Sequence, residues 1–166
     1  MDLLRERLQS TTIDWMKASN VEWGLCCCWH TPKAMNAFHR RWDHYWLSSE
    51  LKRHFNRVDR RVLKAAHTNR SMRIPRFITL EYAEGTGWHA HGLIGIVNGF
   101  TIQELRLAYE KDWLKATDRF ATGKFEKRLF WAEEKEGGYD WYLLQDVYGP
   151  EFKETGITDL DNIYIP

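Results

Sequence analysis

The stretch RFITLEYAEGTGWHAHGLIGIV, residues 76–97, is the most informative part of this sequence for its fold. The side chains of residues 76–82 alternate between two faces, as in a β-strand, and Glu81 shares a face with Phe77 and Thr79. The two glycines within residues 83–87 are typical of a hairpin turn. Residues 88–97 then form the returning strand, so we expect an antiparallel hairpin here.

Two histidines, His89 and His91, are one residue apart in the returning strand and therefore share a face. A turn centred near residue 85 places Glu81 at roughly their height, on the face that also holds Thr79. Two imidazoles and one carboxylate form a three-ligand set for a divalent cation, with open positions for substrate and water. Mn²⁺, Mg²⁺ and Zn²⁺ all suit this set, and Glu84 is a competing carboxylate nearer the turn. The other interpretation of a bare H-x-H is two histidines that only line a sheet surface.

Around the hairpin, the hydrophobic pattern predicts helices and further strands. Before the hairpin we expect a helix over 2–18, a buried strand over 21–29, and helices from Thr31 to about residue 66 with a candidate break at Ser48 and Ser49. After it we expect a helix over 101–116 that begins with a capping box of Thr101 and Glu104. A strand or hairpin within 120–138, a short helix over 138–148 and an irregular tail from Gly149 follow. This order predicts an α+β fold with helices packed on a central antiparallel sheet.

The composition agrees with one domain over residues 1–166, since 43% of the residues are hydrophobic. No apolar run approaches the length of a membrane span, and the charged N-terminus lacks the apolar segment of a signal peptide. We therefore expect an intracellular protein without a membrane partner. The three consecutive cysteines, Cys26 to Cys28, have no C-x-x-C spacing and are expected to be reduced and buried.

Charge is unevenly distributed, although the net charge is only +1. Residues 31–76 hold 12 Lys and Arg against 3 Asp and Glu, whereas residues 77–166 hold 9 against 16. The basic helices are a candidate DNA surface, whose arginines are Arg40, Arg41, Arg53, Arg57, Arg60 and Arg61. The alternative is an ordinary solvated helix face. Most of the nine tryptophans are expected in the core, and the others are candidates for stacking on bases.

The segment GGYDWYLLQD offers Tyr139 and Tyr142 as nucleophiles, three residues apart on the predicted helix. A tyrosine can attack phosphorus and form a covalent phosphotyrosine, while a metal stabilises the developing charge. Ordinary packing is the other role open to both side chains.

Together, these features resemble the HUH endonucleases, and among them the rolling-circle replication initiators of plasmids and phages. FITLEYAEGTGWHAHGLIGI resembles the second motif of this family, and EWGLCCCWHTP occupies the position of the first motif with cysteines in place of its threonines. Tyr142-Leu143-Leu144-Gln145 resembles the third motif, with glutamine where the family has lysine. The resemblance spans about residues 21–148.

The resemblance implies a five-stranded antiparallel sheet flanked by helices, with a ferredoxin- or RRM-like palm. It implies His89, His91 and Glu81 as ligands of Mn²⁺ or Mg²⁺, Tyr142 as nucleophile with Tyr139 as alternate, and Gln145 near the metal or the DNA. The implied function is nicking and rejoining of single-stranded DNA at a replication origin, in the cytoplasm of a prokaryotic host. A host helicase, or a helicase domain elsewhere in a longer protein, would supply unwinding.

Three other functions remain open on the sequence alone. A single-tyrosine transposase of the same superfamily suits the glutamine at the lysine position. A non-catalytic origin-binding module would keep the fold and metal affinity but form no covalent DNA adduct. An unrelated metal-dependent phosphohydrolase acting on a small nucleotide would depend on neither tyrosine.

Overall fold

A computed structural model describes residues 3–31, 44–83, 87–118, 129–135 and 157–166. Its elements in chain order are α1 (Leu3–Ala18), β1 (Trp23–His30), α2 (His44–Leu63), α3 (Ala65–Arg70), β2 (Arg76–Ala83), β3 (Gly87–Gly95), α4 (Ile102–Asp118), β4 (Phe130–Glu134), β5 (Ile157–Thr158) and a 3₁₀ helix (Leu160–Asn162). The turn at 84–86 and the predicted helix over 138–148 lie outside the described residues.

The strands form one antiparallel sheet in the order β4-β1-β3-β2-β5. Four strands have five or more residues, and β5 adds a two-residue edge. The α+β class and the hairpin of β2 and β3 are therefore confirmed. In the hairpin, Glu81 pairs with His89 and Thr79 pairs with His91, which is the register expected from the turn position.

One face of the sheet, here called the core face, packs against α2 and α4. Its buried side chains include Leu25, Trp29, Ile78, Leu80 and Ala90, and α2 and α4 contribute residues such as Leu51, Phe55, Tyr109 and Trp113. Gly92 also points to this face, where an added Cβ would lie 2.6 Å from Ile78 Cδ1 and 2.9 Å from Trp29 Cζ3. A larger residue at position 92 would therefore displace the packed core.

The other face, here called the α1 face, is packed by α1 at one end. Ile13 and Met16 of α1 are buried there with the sheet residues Cys26, Phe77 and Leu93. Because side chains alternate along a strand, Glu81, His89 and His91 also belong to the α1 face. They lie nearer the turn of the hairpin than Phe77 and Leu93 do.

The predicted break at Ser48 and Ser49 is wrong, because α2 runs without interruption from His44 to Leu63. The Ser48 hydroxyl donates to Asp159 Oδ1 at 2.8 Å, so a partner far along the chain satisfies it. The helix ends instead at Lys64, whose φ of 48° is left-handed.

The irregular tail predicted from Gly149 is also corrected in part. Thr158 pairs with Thr79 and Ile157 with Leu80, and Tyr164 forms a further bridge to Arg76. A two-residue strand has too short a pattern to be recognised, since the edge of β2 supplies its partner groups. By contrast, the capping box of α4 is confirmed, with Thr101 N donating to Glu104 Oε2 at 2.8 Å and Glu104 N to Thr101 Oγ1 at 3.2 Å.

Candidate metal centre

Glu81, His89 and His91 converge on the α1 face. Glu81 Oε2 lies 3.5 Å from His89 Nε2 and 3.4 Å from His91 Nε2, and ligand atoms of the three residues all lie within 4.8 Å of one another. Two ligand atoms bound at about 2.1 Å to one cation, at tetrahedral or octahedral angles, lie about 3.0–3.4 Å apart. The two carboxylate–imidazole separations are close to this range, so the group could hold a single divalent cation.

A backbone contact fixes the tautomer of His89. Its Nδ1 lies 3.1 Å from the carbonyl oxygen of Gly87, which can only accept, so Nδ1 carries the proton. In the neutral ring, the unprotonated Nε2 then turns its lone pair toward the Glu81 carboxylate. Two acceptors in contact repel each other, and a cation between them removes that repulsion. Orientation of a ligand imidazole by a backbone carbonyl is common in protein metal sites.

The centre is shielded from water but not closed. The side chains of Glu81 and His89 are each 10% exposed, and that of His91 is 12% exposed. Partial burial strengthens the interaction between a cation and its ligands, because less water screens it. The remaining opening leaves the three side chains in contact with solvent.

Two residues of β1, His30 and Cys28, also lie at this centre, and sequence reasoning missed His30. In the sheet register, His30 pairs with His89 and Cys28 with His91, so both side chains are on the α1 face. The rings of His30 and His89 stack with centroids 5.4 Å apart. Cys28 Sγ lies 3.2 Å from His30 Nε2 and 4.0 Å from His91 Nε2. The alternation of Cys26, Cys28 and His30 was the available signal, but pairing of β1 with β3 was needed to interpret it.

Both of these groups are electrically neutral near pH 7. Burial, reinforced by the Glu81 carboxylate, raises the pKa of the Cys28 thiol to about 12. Burial, with the neighbouring His89 and His91, lowers the pKa of His30 to about 4. Cys26, Cys27 and Cys28 are all buried thiols outside any disulfide, as expected from the sequence.

Of the predicted DNA-binding arginines, the four that the structure describes are not beside this centre. Arg53, Arg57, Arg60 and Arg61 belong to α2, which packs on the core face. Arg57 and Arg61 both form ion pairs with Asp112 of α4, although their side chains remain 42% and 49% exposed. Arg40 and Arg41 lie outside the described residues. The assignment of a DNA surface to α2 stays a prediction.

Asp112 is the centre of a buried polar network between the helices and the sheet. His54 Nδ1–H donates to Asp112 Oδ2 at 2.9 Å, and Trp29 Nε1–H donates to His54 Nε2 at 3.1 Å. Burial alone would raise the pKa of Asp112, but hydrogen bonds from His54 and Arg57 hold that pKa at about 2. Burial lowers the pKa of His54. The network connects α2, α4 and β1 by hydrogen bonds on the core face, opposite the metal centre.

Tyr139, Tyr142 and Gln145, the predicted nucleophiles and their neighbour, lie outside the described residues, as does the competing carboxylate Glu84. The roles assigned to these four residues stay predictions.

A scan of the chain against models of protein families finds no match, and no curated protein has a significantly similar sequence. Within the described ranges, no helix combines the length and apolar character needed to cross a membrane.

Proposed function

We propose that this chain is a metal-dependent, tyrosine-type endonuclease that nicks and rejoins single-stranded DNA, of the HUH class that initiates rolling-circle replication. The observation that carries the proposal is the convergence of Glu81, His89 and His91 on one face of an antiparallel hairpin. The motif order along the chain and the α+β class with an antiparallel sheet support it.

The three ligands provide two imidazole nitrogens and one carboxylate oxygen, a donor set suited to Mn²⁺ or Mg²⁺ with open coordination positions. When bound, such a cation polarises a phosphodiester oxygen and stabilises the charge that develops on it. His89 is oriented for ligation by the Gly87 carbonyl. The neutral Cys28 and His30 complete the wall of the centre without adding charge to it.

Tyr142 is the proposed nucleophile, with Tyr139 as the alternate. Its phenol loses a proton as its oxygen bonds to phosphorus, and the bond from phosphorus to the 3′-oxygen breaks. The leaving 3′-oxygen takes up a proton to become a hydroxyl, and the downstream segment of the strand stays attached to the tyrosine through its 5′-phosphate. Reversal of these steps with a 3′-hydroxyl rejoins DNA, so no external energy source is required. Gln145 is placed by the same proposal near the metal or the DNA.

The substrate strand meets the protein on the α1 face, where the metal ligands are. The α2 arginines lie behind the core face, so DNA that contacts both regions passes around an edge of the sheet. In this arrangement the metal centre holds the scissile phosphate, and α2 contributes attraction for flanking DNA that depends on ionic strength.

The test is a denaturing gel of a random-sequence single-stranded DNA pool, labelled at either end, after incubation with Mn²⁺. The proposal expects a protein adduct carrying the 3′-end label and released fragments carrying the 5′-end label. The adduct should be lost in His89→Ala/His91→Ala and in one of Tyr139→Phe or Tyr142→Phe. Tyr45→Phe is a matched control, because this tyrosine is 73% exposed and belongs to α2, on the other side of the sheet.

Other outcomes identify the competing functions. Metal-dependent cleavage that survives both tyrosine changes refutes the covalent mechanism and favours a metal-dependent phosphohydrolase. Binding of single-stranded DNA without cleavage or adduct favours a non-catalytic module. Adducts formed by a dimer, with one tyrosine per subunit, favour the single-tyrosine transposase.

A further inference from the structure

Trp131 of β4 places an exposed indole on the α1 face. Trp131 pairs with Cys28, and Cys28 pairs with His91 on its other side. Paired residues of antiparallel strands point to the same face, so Trp131 shares a row with the metal ligand. Its neighbours Phe130 and Ala132 point into the buried core on the other face. The tryptophan itself is 39% exposed.

The separation between Trp131 and His91 suits neighbouring nucleotides of one strand. Their backbones are two strand spacings apart, which is about 10 Å. Cys28 is the one residue between them in this row, and its side chain is small and buried. No large side chain of this row therefore separates the metal ligand from the indole.

This surface favours a nucleobase over a phosphate. Glu133 is two residues after Trp131 on β4, pairs with Cys26 on the same face, and would repel a phosphate. An indole offers instead a broad apolar ring on which any base can stack. The metal centre and Trp131 thus present complementary features of one nucleotide chain, a cation for the phosphate and a ring for the base.

We propose that Trp131 is a stacking site for a base of single-stranded DNA close to the phosphate held at the metal centre. This inference rests on the proposed function and specifies how its substrate lies across the sheet, from β3 toward β4. Because stacking is tolerant of sequence, Trp131 contributes affinity and position with little discrimination among bases.

The experiment measures binding of fluorescein-labelled oligothymidylate by anisotropy, with Mn²⁺, in a Tyr139→Phe/Tyr142→Phe background that keeps the DNA intact. Trp131→Ala should weaken binding about 5- to 150-fold, the equivalent of about 1–3 kcal/mol for one stacked base. Trp131→Phe should retain most of the affinity, since a phenyl ring also stacks. Mn²⁺ affinity, measured by calorimetry, should be the same in all three proteins.

Trp15→Ala is the matched control. Trp15 is 47% exposed on α1, at the far end of the same face, and contacts Phe77 edge-on with ring centroids 6.4 Å apart. This change should leave DNA affinity unchanged. A second probe is a series of oligothymidylates with one abasic position each. Loss of the stacked base should weaken binding to the protein with Trp131 intact but not to the Trp131→Ala protein, which gives a double-mutant cycle.

The outcomes separate this inference from the proposed function. If the background protein binds DNA and Trp131→Ala binds equally well, the stacking site is refuted while the nuclease proposal stands. If no abasic position weakens binding to a protein with Trp131 intact, the stacking site is also refuted, even where Trp131→Ala fails to fold. If the protein with Trp131 intact binds no single-stranded DNA, both proposals fail.

Discussion

Replacement of Glu81 by glutamine tests the metal centre most directly. The change keeps the size of the side chain and removes the charge that faces His89 and His91 at 3.5 and 3.4 Å. An amide is a far weaker ligand than a carboxylate. In the metal-free protein, the new amide has the shape of the carboxylate and can still hydrogen-bond to either imidazole. We therefore expect Glu81→Gln to lose metal affinity without losing stability in the absence of metal.

The expected size follows from linkage between binding and folding. At Mn²⁺ equal to 100 times the wild-type dissociation constant, binding stabilises the native state by about 2.7 kcal/mol. For a chain of this length, that raises the thermal midpoint by about 5–11 °C. Loss of an outer-shell partner alone costs up to about 100-fold in affinity, and loss of a ligand should cost at least as much. At the same Mn²⁺ concentration, the variant then gains about 0.4 kcal/mol, or about 1–2 °C.

Differential scanning calorimetry with Mn²⁺ and with EDTA measures the rise in thermal midpoint on metal binding and the stability of the metal-free protein. Glu134→Gln, which changes an exposed carboxylate on β4, should respond to Mn²⁺ as the wild type does. An equal Mn²⁺ response in Glu81→Gln would show that Glu81 is no ligand. A midpoint in EDTA several degrees below that of the wild type would mean that the carboxylate is mainly a structural group.

Three further predictions concern neighbouring parts of the molecule. The pKa of Asp112 is about 2 in the folded protein, against an ordinary 3.8, so its ionised form stabilises the fold above about pH 4. This stabilisation is lost as pH falls toward 2. Urea unfolding should show that about 2 kcal/mol is lost across this window, and Asp112→Asn should lack this pH dependence. If α2 binds DNA, Arg60→Ala should lower the log–log slope of DNA affinity against salt concentration by about 0.7, without changing the thermal midpoint. Arg57→Ala should lower the thermal midpoint, because Asp112 loses an ion-pair partner. Equal slopes in wild type and Arg60→Ala would remove Arg60 from the DNA surface. Because the three candidate ligands provide only nitrogen and oxygen, Co²⁺ bound at the centre should show no thiolate charge-transfer band, and Cys28→Ser should leave the Co²⁺ spectrum unchanged; a near-ultraviolet band that Cys28→Ser removes would make Cys28 a ligand.

The three candidate metal ligands could be predicted because their arrangement is local in the chain. Glu81 and His89 are eight residues apart, and a short turn between alternating strands leaves few registers. The capping box of α4 was predictable for the same reason, since Thr101 and Glu104 need only each other. In both cases the side-chain pattern and the geometry it produces belong to one short segment.

The rest of the centre was not predictable in this way. His30 reaches it through pairing of β1 with β3, and Trp131 lies one strand further away through pairing of β1 with β4. Long stretches of chain separate these strands. The register between such strands depends on how all strands of the sheet bury their apolar side chains together. A pattern within one strand does not predict it. Ser48 shows the same limit, because its hydrogen-bond partner Asp159 is 111 residues away.

The hairpin and the three residues able to hold a divalent cation were predictable from the chain alone, because alternation and a tight turn fix both within about 20 residues. The surroundings of these three residues follow only from the packing of the whole fold. Because α2 and α4 pack on the core face, the arginines of α2 lie on the side of the sheet opposite the three candidate ligands, and two of them form ion pairs with Asp112. Strand order left His30, Cys28 and Trp131 on the α1 face beside the ligands. Both results follow from burying the apolar side of each element at once, a condition that the whole chain satisfies together and that no segment can satisfy alone.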